Sequence, residues 1–199
     1  MRWDNLFDDL EGQLEQELRA DEADLRIEEE RLRIGRLGLR DRLVSVVEGY
    51  PRRADYSMRV HLVTGELVRV RPVAIGRDWM SADVRDGSSA SVQCIIPFAA
   101  VVGVGLDAEQ SAHSLAEPEP PRPGSLAAKL TISFVLRDLG RRRQSLELVT
   151  RAGGVTGTID RVGRDHVEIA VHERGEPRRR DAVAEFRLVP LEALVLVRL

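Results

Sequence analysis

The chain has 199 residues, enough for one or two small domains and an accessory element. Its composition, 43% hydrophobic and 32% charged with a net charge of −3, is that of a soluble globular protein and excludes a wholly basic nucleic-acid binder. Aromatic residues make up only 4%, so a core must be built from Leu, Val, Ile and Ala, and platforms for base stacking are nearly absent.

The first segment, 1–34, reads as an acidic amphipathic helix. Apolar residues fall at Trp3, Leu6, Phe7, Leu10, Leu14 and Leu18 with spacings of three and four, then at Leu25 and Leu32 with spacings of seven. Asp4 or Asn5 is the expected N-cap, since a short polar side chain there accepts orphan backbone N–H groups. Gly35 and Gly38 end the pattern. The segment holds twelve acidic residues against five Arg. An apolar seam of this kind packs on its own domain, on a second copy of the chain or on another protein; the seven-residue spacing favours a second chain for the distal half. The N-terminus lacks the basic and apolar regions of a signal peptide, and no apolar run reaches the roughly 20 residues of a membrane span. The expected setting is therefore the cytoplasm, with no membrane partner.

Segment 35–106 is rich in strand formers. Met58, Val60 and Leu62 alternate with Arg59 and His61, and Leu67 to Arg71 follow the Thr64-Gly65 turn. Asp86-Gly87 is a hairpin signal. Pro97 closes a strand through Ile95-Ile96, and Val101-Val102 begins another. Cys94, the only cysteine, sits in that apolar run and reads as a small buried hydrophobe; alone it forms neither an intramolecular disulfide nor a cysteine-based zinc site. Residues 107–124 read as a linker, because Glu117 to Gly124 carries four prolines.

Segment 125–199 again reads as short strands, at Ser145–Thr150, Val155–Val162, His166–His172, Ala184–Val189 and Leu194–Arg198. It repeats the plan of 35–106. Ile75-Gly76-Arg77-Asp78-Trp79 matches Val162-Gly163-Arg164-Asp165-His166. Ile96-Pro97-Phe98-Ala99-Ala100-Val101 matches Val189-Pro190-Leu191-Glu192-Ala193-Leu194, and Leu39-Arg40-Asp41 matches Leu136-Arg137-Asp138. Each copy offers five short strands behind a helical piece, which predicts a small barrel that removes exposed edges. Copies of about 70 residues are marginal alone, so the two barrels are expected to face each other across apolar surface.

These residues carry two resemblances. Val60 to Gly65 with Ile75 to Met80, and Ile96 to Val104, resemble the two motifs of the Sm-like, or SH3-like, small-barrel fold. That resemblance implies a mainly β chain with an N-terminal helix and tandem five-stranded barrels. The Sm pattern that pinches a uridine wants an Asn after the turn Asp and an Arg-Gly in the second motif; Ser81 and Glu168, and Pro97 and Pro190, stand there instead. The whole chain also resembles a family of uncharacterised actinobacterial proteins, through Met1-Arg2-Trp3, the hydrophobic-Gly-Arg-Asp turn and Gly175 to Arg180. Its members are at times labelled Fis-type regulators, a label that requires a C-terminal helix-turn-helix where this chain has strand-like Leu194 to Val197.

Residues that carry chemistry are sparse. Asp78 and Asp165 are expected to bond the amides of their own turns. His61, His113, His166 and His172 have no metal-ligand spacing, since a strand separates His166 from His172 by roughly 20 Å. Gly153 to Gly157 lacks the Lys-Ser or Lys-Thr of a phosphate loop and reads as a hairpin turn. No Gly-X-Ser-X-Gly element is present. No catalytic residue, cofactor site or metal site is therefore expected. The polyanion candidates are Arg141, Arg142 and Arg143, and Arg174 with Arg178, Arg179 and Arg180, since runs of Arg neutralise phosphates. The expectation is a non-enzymatic interaction or scaffolding module with a regulatory role, binding a protein partner or itself. The alternative is a nucleic-acid-associated regulator of transcription or RNA using the Arg clusters.

Overall fold

A computed structural model describes residues 3–49, 56–85, 91–116, 127–173 and 182–199. It divides into two compact units, Met1–Leu39 and Arg40–Leu199.

The first unit is a single helix, α1 (Trp3–Gly35). Because α1 begins at Trp3, Asp4 and Asn5 lie inside it rather than at its N-cap. Its exposed face is laced by ion pairs one turn apart: Arg19–Glu15 at 2.8 Å, Arg26–Glu22 at 3.5 Å, Arg31–Glu28 at 3.7 Å and Arg33–Glu30 at 2.6 Å. Each such pair supports a helix by a few tenths of a kcal/mol, about 0.2–0.5.

The second unit holds both repeats. Its elements run α2 (Leu39–Gly49), β1 (Met58–Leu62), β2 (Leu67–Ile75), β3 (Trp79–Arg85), β4 (Ser91–Pro97), β5 (Val101–Gly105), α3 (Ala108–Ser114), α4 (Ile132–Arg142), β6 (Ser145–Thr150), β7 (Gly153–Val162), β8 (His166–Val171), β9 (Glu185–Pro190) and β10 (Leu194–Arg198). The ten strands of the described residues form one antiparallel sheet in the order β5-β1-β2-β3-β4-β10-β6-β7-β8-β9. The helical piece ahead of each set of strands, the Pro that ends the fourth strand and the short turn before the fifth all stand where the repeat placed them.

The repeat extends to the register. Val70 pairs with Val84 and Gly157 with Val171. A bulge lies between Pro72 and Ala74 and its counterpart between Ile159 and Arg161. Trp79 faces Pro97 as His166 faces Pro190. The Gly76 amide donates to Trp79 O at 2.8 Å and the Gly163 amide to His166 O at 2.9 Å. The Arg40 side chain donates to Gly76 O at 2.9 Å, and Arg137 to Gly163 O at 3.3 Å.

Two expectations are corrected. The sheet is open: β5 does not pair with β4, nor β10 with β9, so backbone pairing closes neither set of five strands into a barrel. The two sets also do not face each other. They join edge to edge where β10 pairs with β4, Val197 opposite Ile95 and Arg198 opposite Cys94, extended by the Leu199 amide donating to Gln93 O at 3.0 Å. Pairing edge strands satisfies their backbone groups as closure would have done. The segment 107–124, read as a linker, opens with α3, fixed by a capping box in which Asp107 and Gln110 each bond the other's backbone amide. The Asp86-Gly87 signal lies outside the described residues.

The joint is also a core. One apolar cluster is built from β1 to β4 and α2, and contains Val195 and Leu196 of β10. The other is built from α4 and β6 to β9, and contains Trp79 and Ile95 of the first repeat. Each repeat thus contributes side chains to the other's interior.

Candidate interaction surfaces

From Leu14 onward the apolar seam of α1 is in solvent: Leu14, Leu18, Leu25 and Leu32 are 58%, 55%, 64% and 53% exposed. Trp3, Leu6, Phe7 and Leu10 belong to the same helix, but their side chains lie outside the described residues. The leucines recur on the spacing read from the sequence, and they form a stripe that ordinary burial within a helix does not explain.

The two Gly-Arg-Asp turns are built alike and used differently. In the first, Asp78 bonds no amide of its own turn in the way expected: its Oδ1 accepts from the Ile132 amide at 2.8 Å. That amide is the first of α4, whose N-cap, Thr131, makes no side-chain cap bond. Asp78 therefore caps a helix of the other repeat, supplying the acceptor that helix N-termini require. Beside it, the Trp79 indole donates to Leu130 O at 3.0 Å, and the Arg77 amide donates to the same oxygen at 3.0 Å. The turn thus receives the chain entering repeat two. In the second turn, Asp165 Oδ1 sits 2.8 Å from His166 Nδ1, and both side chains are open to solvent. The His166 hydrogen bond holds the Asp165 carboxyl below its usual range.

Of the Arg clusters, Arg141, Arg142 and Arg143 close α4 in solvent, with Arg143 in the left-handed conformation at φ 51° as its C-cap. Cations there complement the negative end of the helix dipole. Arg142 is held by Asp138 at 2.8 Å, one turn earlier. Arg174, Arg178, Arg179 and Arg180 lie outside the described residues.

The remaining polar candidates are three histidines and Cys94. His172 is buried with Thr158; its Nδ1 lies 2.9 Å from Glu173 O and its Nε2 2.8 Å from the Thr158 hydroxyl. A carbonyl only accepts, so Nδ1 carries the hydrogen, and in the neutral ring Nε2 accepts from the threonine. His61 stands exposed on β1, and His113 lies on α3 against Gly49. Among the described residues no three His, Cys, Asp or Glu side chains are grouped to hold a metal ion. Cys94 is buried, and burial pushes its thiol up to about 12. That value leaves almost no thiolate at neutral pH, so it is a packing residue.

Sequence reasoning missed the two free sheet edges. Among the described residues β5 and β9 end the sheet, each paired on one side only. Along β9, Phe186 and Leu188 are exposed, and along β5, Val102 is exposed. No family model, no curated protein and no solved structure matches this chain. No helix among the described residues is long and apolar enough to cross a membrane.

Proposed function

We propose that the chain is a non-enzymatic interaction or scaffolding module with a regulatory role, in which each five-stranded repeat follows the Sm-like, SH3-like plan and α1 engages a protein partner. The observation that carries this reading is the stripe Leu14, Leu18, Leu25, Leu32, each more than half exposed on a helix of 33 residues. A helix gains little from its own backbone and much from burying an apolar face, so such a stripe is the surface a second helix covers. The heptad spacing of Leu18, Leu25 and Leu32 suits a second copy of α1.

Sedimentation of the whole chain and of Leu25→Asp at about tens of micromolar, a range set by ordinary association energies, tests this. The wild type is expected above the mass of one chain. The variant, with a charge in the seam, is expected to shift toward a smaller mass with its unfolding transition unchanged. A wild type at the mass of one chain removes helix pairing. A titration with duplex DNA and with RNA at two salt concentrations separates the alternative: strongly salt-dependent binding would move the reading to Arg141, Arg142 and Arg143.

A further inference from the structure

The joint between the repeats uses one edge of each and, among the described residues, leaves the other edge of each unpaired. Repeat one gives β4 and keeps β5; repeat two gives β10 and keeps β9. By the shared register, β5 is the counterpart of β10, and β9 the counterpart of β4. Leu62 faces Val101 as Thr150 faces Leu194, and Ser81 faces Ile95 as Glu168 faces Leu188. The two leftover edges are therefore the two halves of the joint already made.

We infer that β9 of one chain pairs antiparallel with β5 of a second copy, repeating the β4–β10 joint between molecules. The register follows from the joint. Val197 opposite Ile95 becomes Val104 opposite Leu188, and Arg198 opposite Cys94 becomes Gly105 opposite Arg187. The bond from the Leu199 amide to Gln93 O becomes one from the Leu106 amide to Phe186 O.

Three observations favour this occupant over any other. Residues that the joint buries are exposed at the ends: Ile95 is 3% exposed and its counterpart Leu188 62%, while Val195 is 0% exposed and its counterpart Val102 69%. Such positions are apolar in both repeats although only one of each pair is covered within the chain. The turn that holds repeat two, Asp78 with Trp79, has a solvent-open counterpart in Asp165 with His166. Finally, both edges are strand-length and apolar in part, β9 carrying exposed Phe186 and Leu188 beside Glu185 and Arg187, and β5 carrying exposed Val102. A contact of unlike surfaces runs head to tail, closing into a ring or extending as a filament according to its rotation.

Cross-linking tests the pairing independently of α1. Gly105 and Arg187 would be directly opposite at a site without mutual hydrogen bonds, where strands approach within disulfide reach. A Cβ at Gly105 meets only ordinary contact, 3.4 Å from Arg59, so the substitution is tolerated. Full-length Gly105→Cys and Arg187→Cys chains are mixed in equal amounts and oxidised. A disulfide-linked dimer and nothing larger is expected from the mixture, and none from either chain alone. The chain carrying both substitutions is expected to give a ladder of dimer, trimer and higher species. Adding Val102→Asp should abolish linkage and leave the thermal transition in place. Should Gly105→Cys fail to fold, Val104→Cys with Leu188→Cys serves as the second pair. A mixture that stays at one-chain mass overturns the inference, as does linkage of either single variant with itself, which would mean that like edges pair. Repeating the assay on the Leu25→Asp background shows edge pairing apart from helix pairing.

Discussion

Gly76 and Gly163 show why the turn motif has its first letter. A Cβ on Gly76 would lie 2.2 Å from the Trp79 indole nitrogen, and one on Gly163 would lie 2.5 Å from the His166 ring. In each case the ring after the Asp folds back over the glycine, so the need is for space and not for a special backbone angle. The consequences differ because Trp79 is buried and donates to Leu130 O at 3.0 Å, whereas His166 is half-exposed and can swing outward. Gly76→Ala should therefore cost about 2 kcal/mol, in the range for overpacking a core. Gly163→Ala should cost well under half of that. Urea midpoints of the two variants check the difference, and equal losses would mean that the indole is not held. The motif itself was legible in the sequence; its reason was not, because the contact depends on how a ring three residues later folds back.

At the scale of elements, strands were read well and their partners were not. Ser145–Thr150 and Leu194–Arg198 match β6 and β10 because β-branched and leucine-rich runs are cut cleanly by Gly, Pro and polar turns. The role of β10 was hidden, although a signal was present: Leu194 to Val197 is a continuous apolar run, buried at all four positions, which is the pattern of a strand covered on both faces. α3 was likewise announced by Asp107 and Gln110, a capping pair three residues apart that the following prolines overshadowed. Asp78 could not be assigned, because its partner Ile132 is 54 residues away. That pairing makes a sharp prediction. Asp78→Ala leaves the first amide of α4 without its acceptor and should lower stability by about 1 kcal/mol, as loss of an N-cap does. Asp165→Ala, whose acceptor role is spent on an exposed histidine, should leave the midpoint nearly unchanged. Equal effects from the two aspartates would show that the Asp78 bond does not hold the repeats together.

At the scale of the molecule, the interior belongs to the joint as much as to either repeat. A fragment of residues 125–199 would lose Trp79 and Ile95 from its own core. It would also present Val195 and Leu196, which lie in the core of the first repeat, to water. Small units bury too little surface to absorb such losses, and each large side chain returned to solvent costs about 1.5–3 kcal/mol. The isolated fragment should therefore show no cooperative transition in urea when followed by circular dichroism. Fragments 1–124 and 125–199 produced together should associate and recover one, because β4 and β10 can then pair and the two clusters exchange residues as they do in the intact chain. A fragment 125–199 that folds alone, with the midpoint of the whole protein, would show that the joint is an adhesion between finished units. The same conclusion would weaken the pairing inferred for β5 and β9, which takes its register and its exposed apolar residues from that joint.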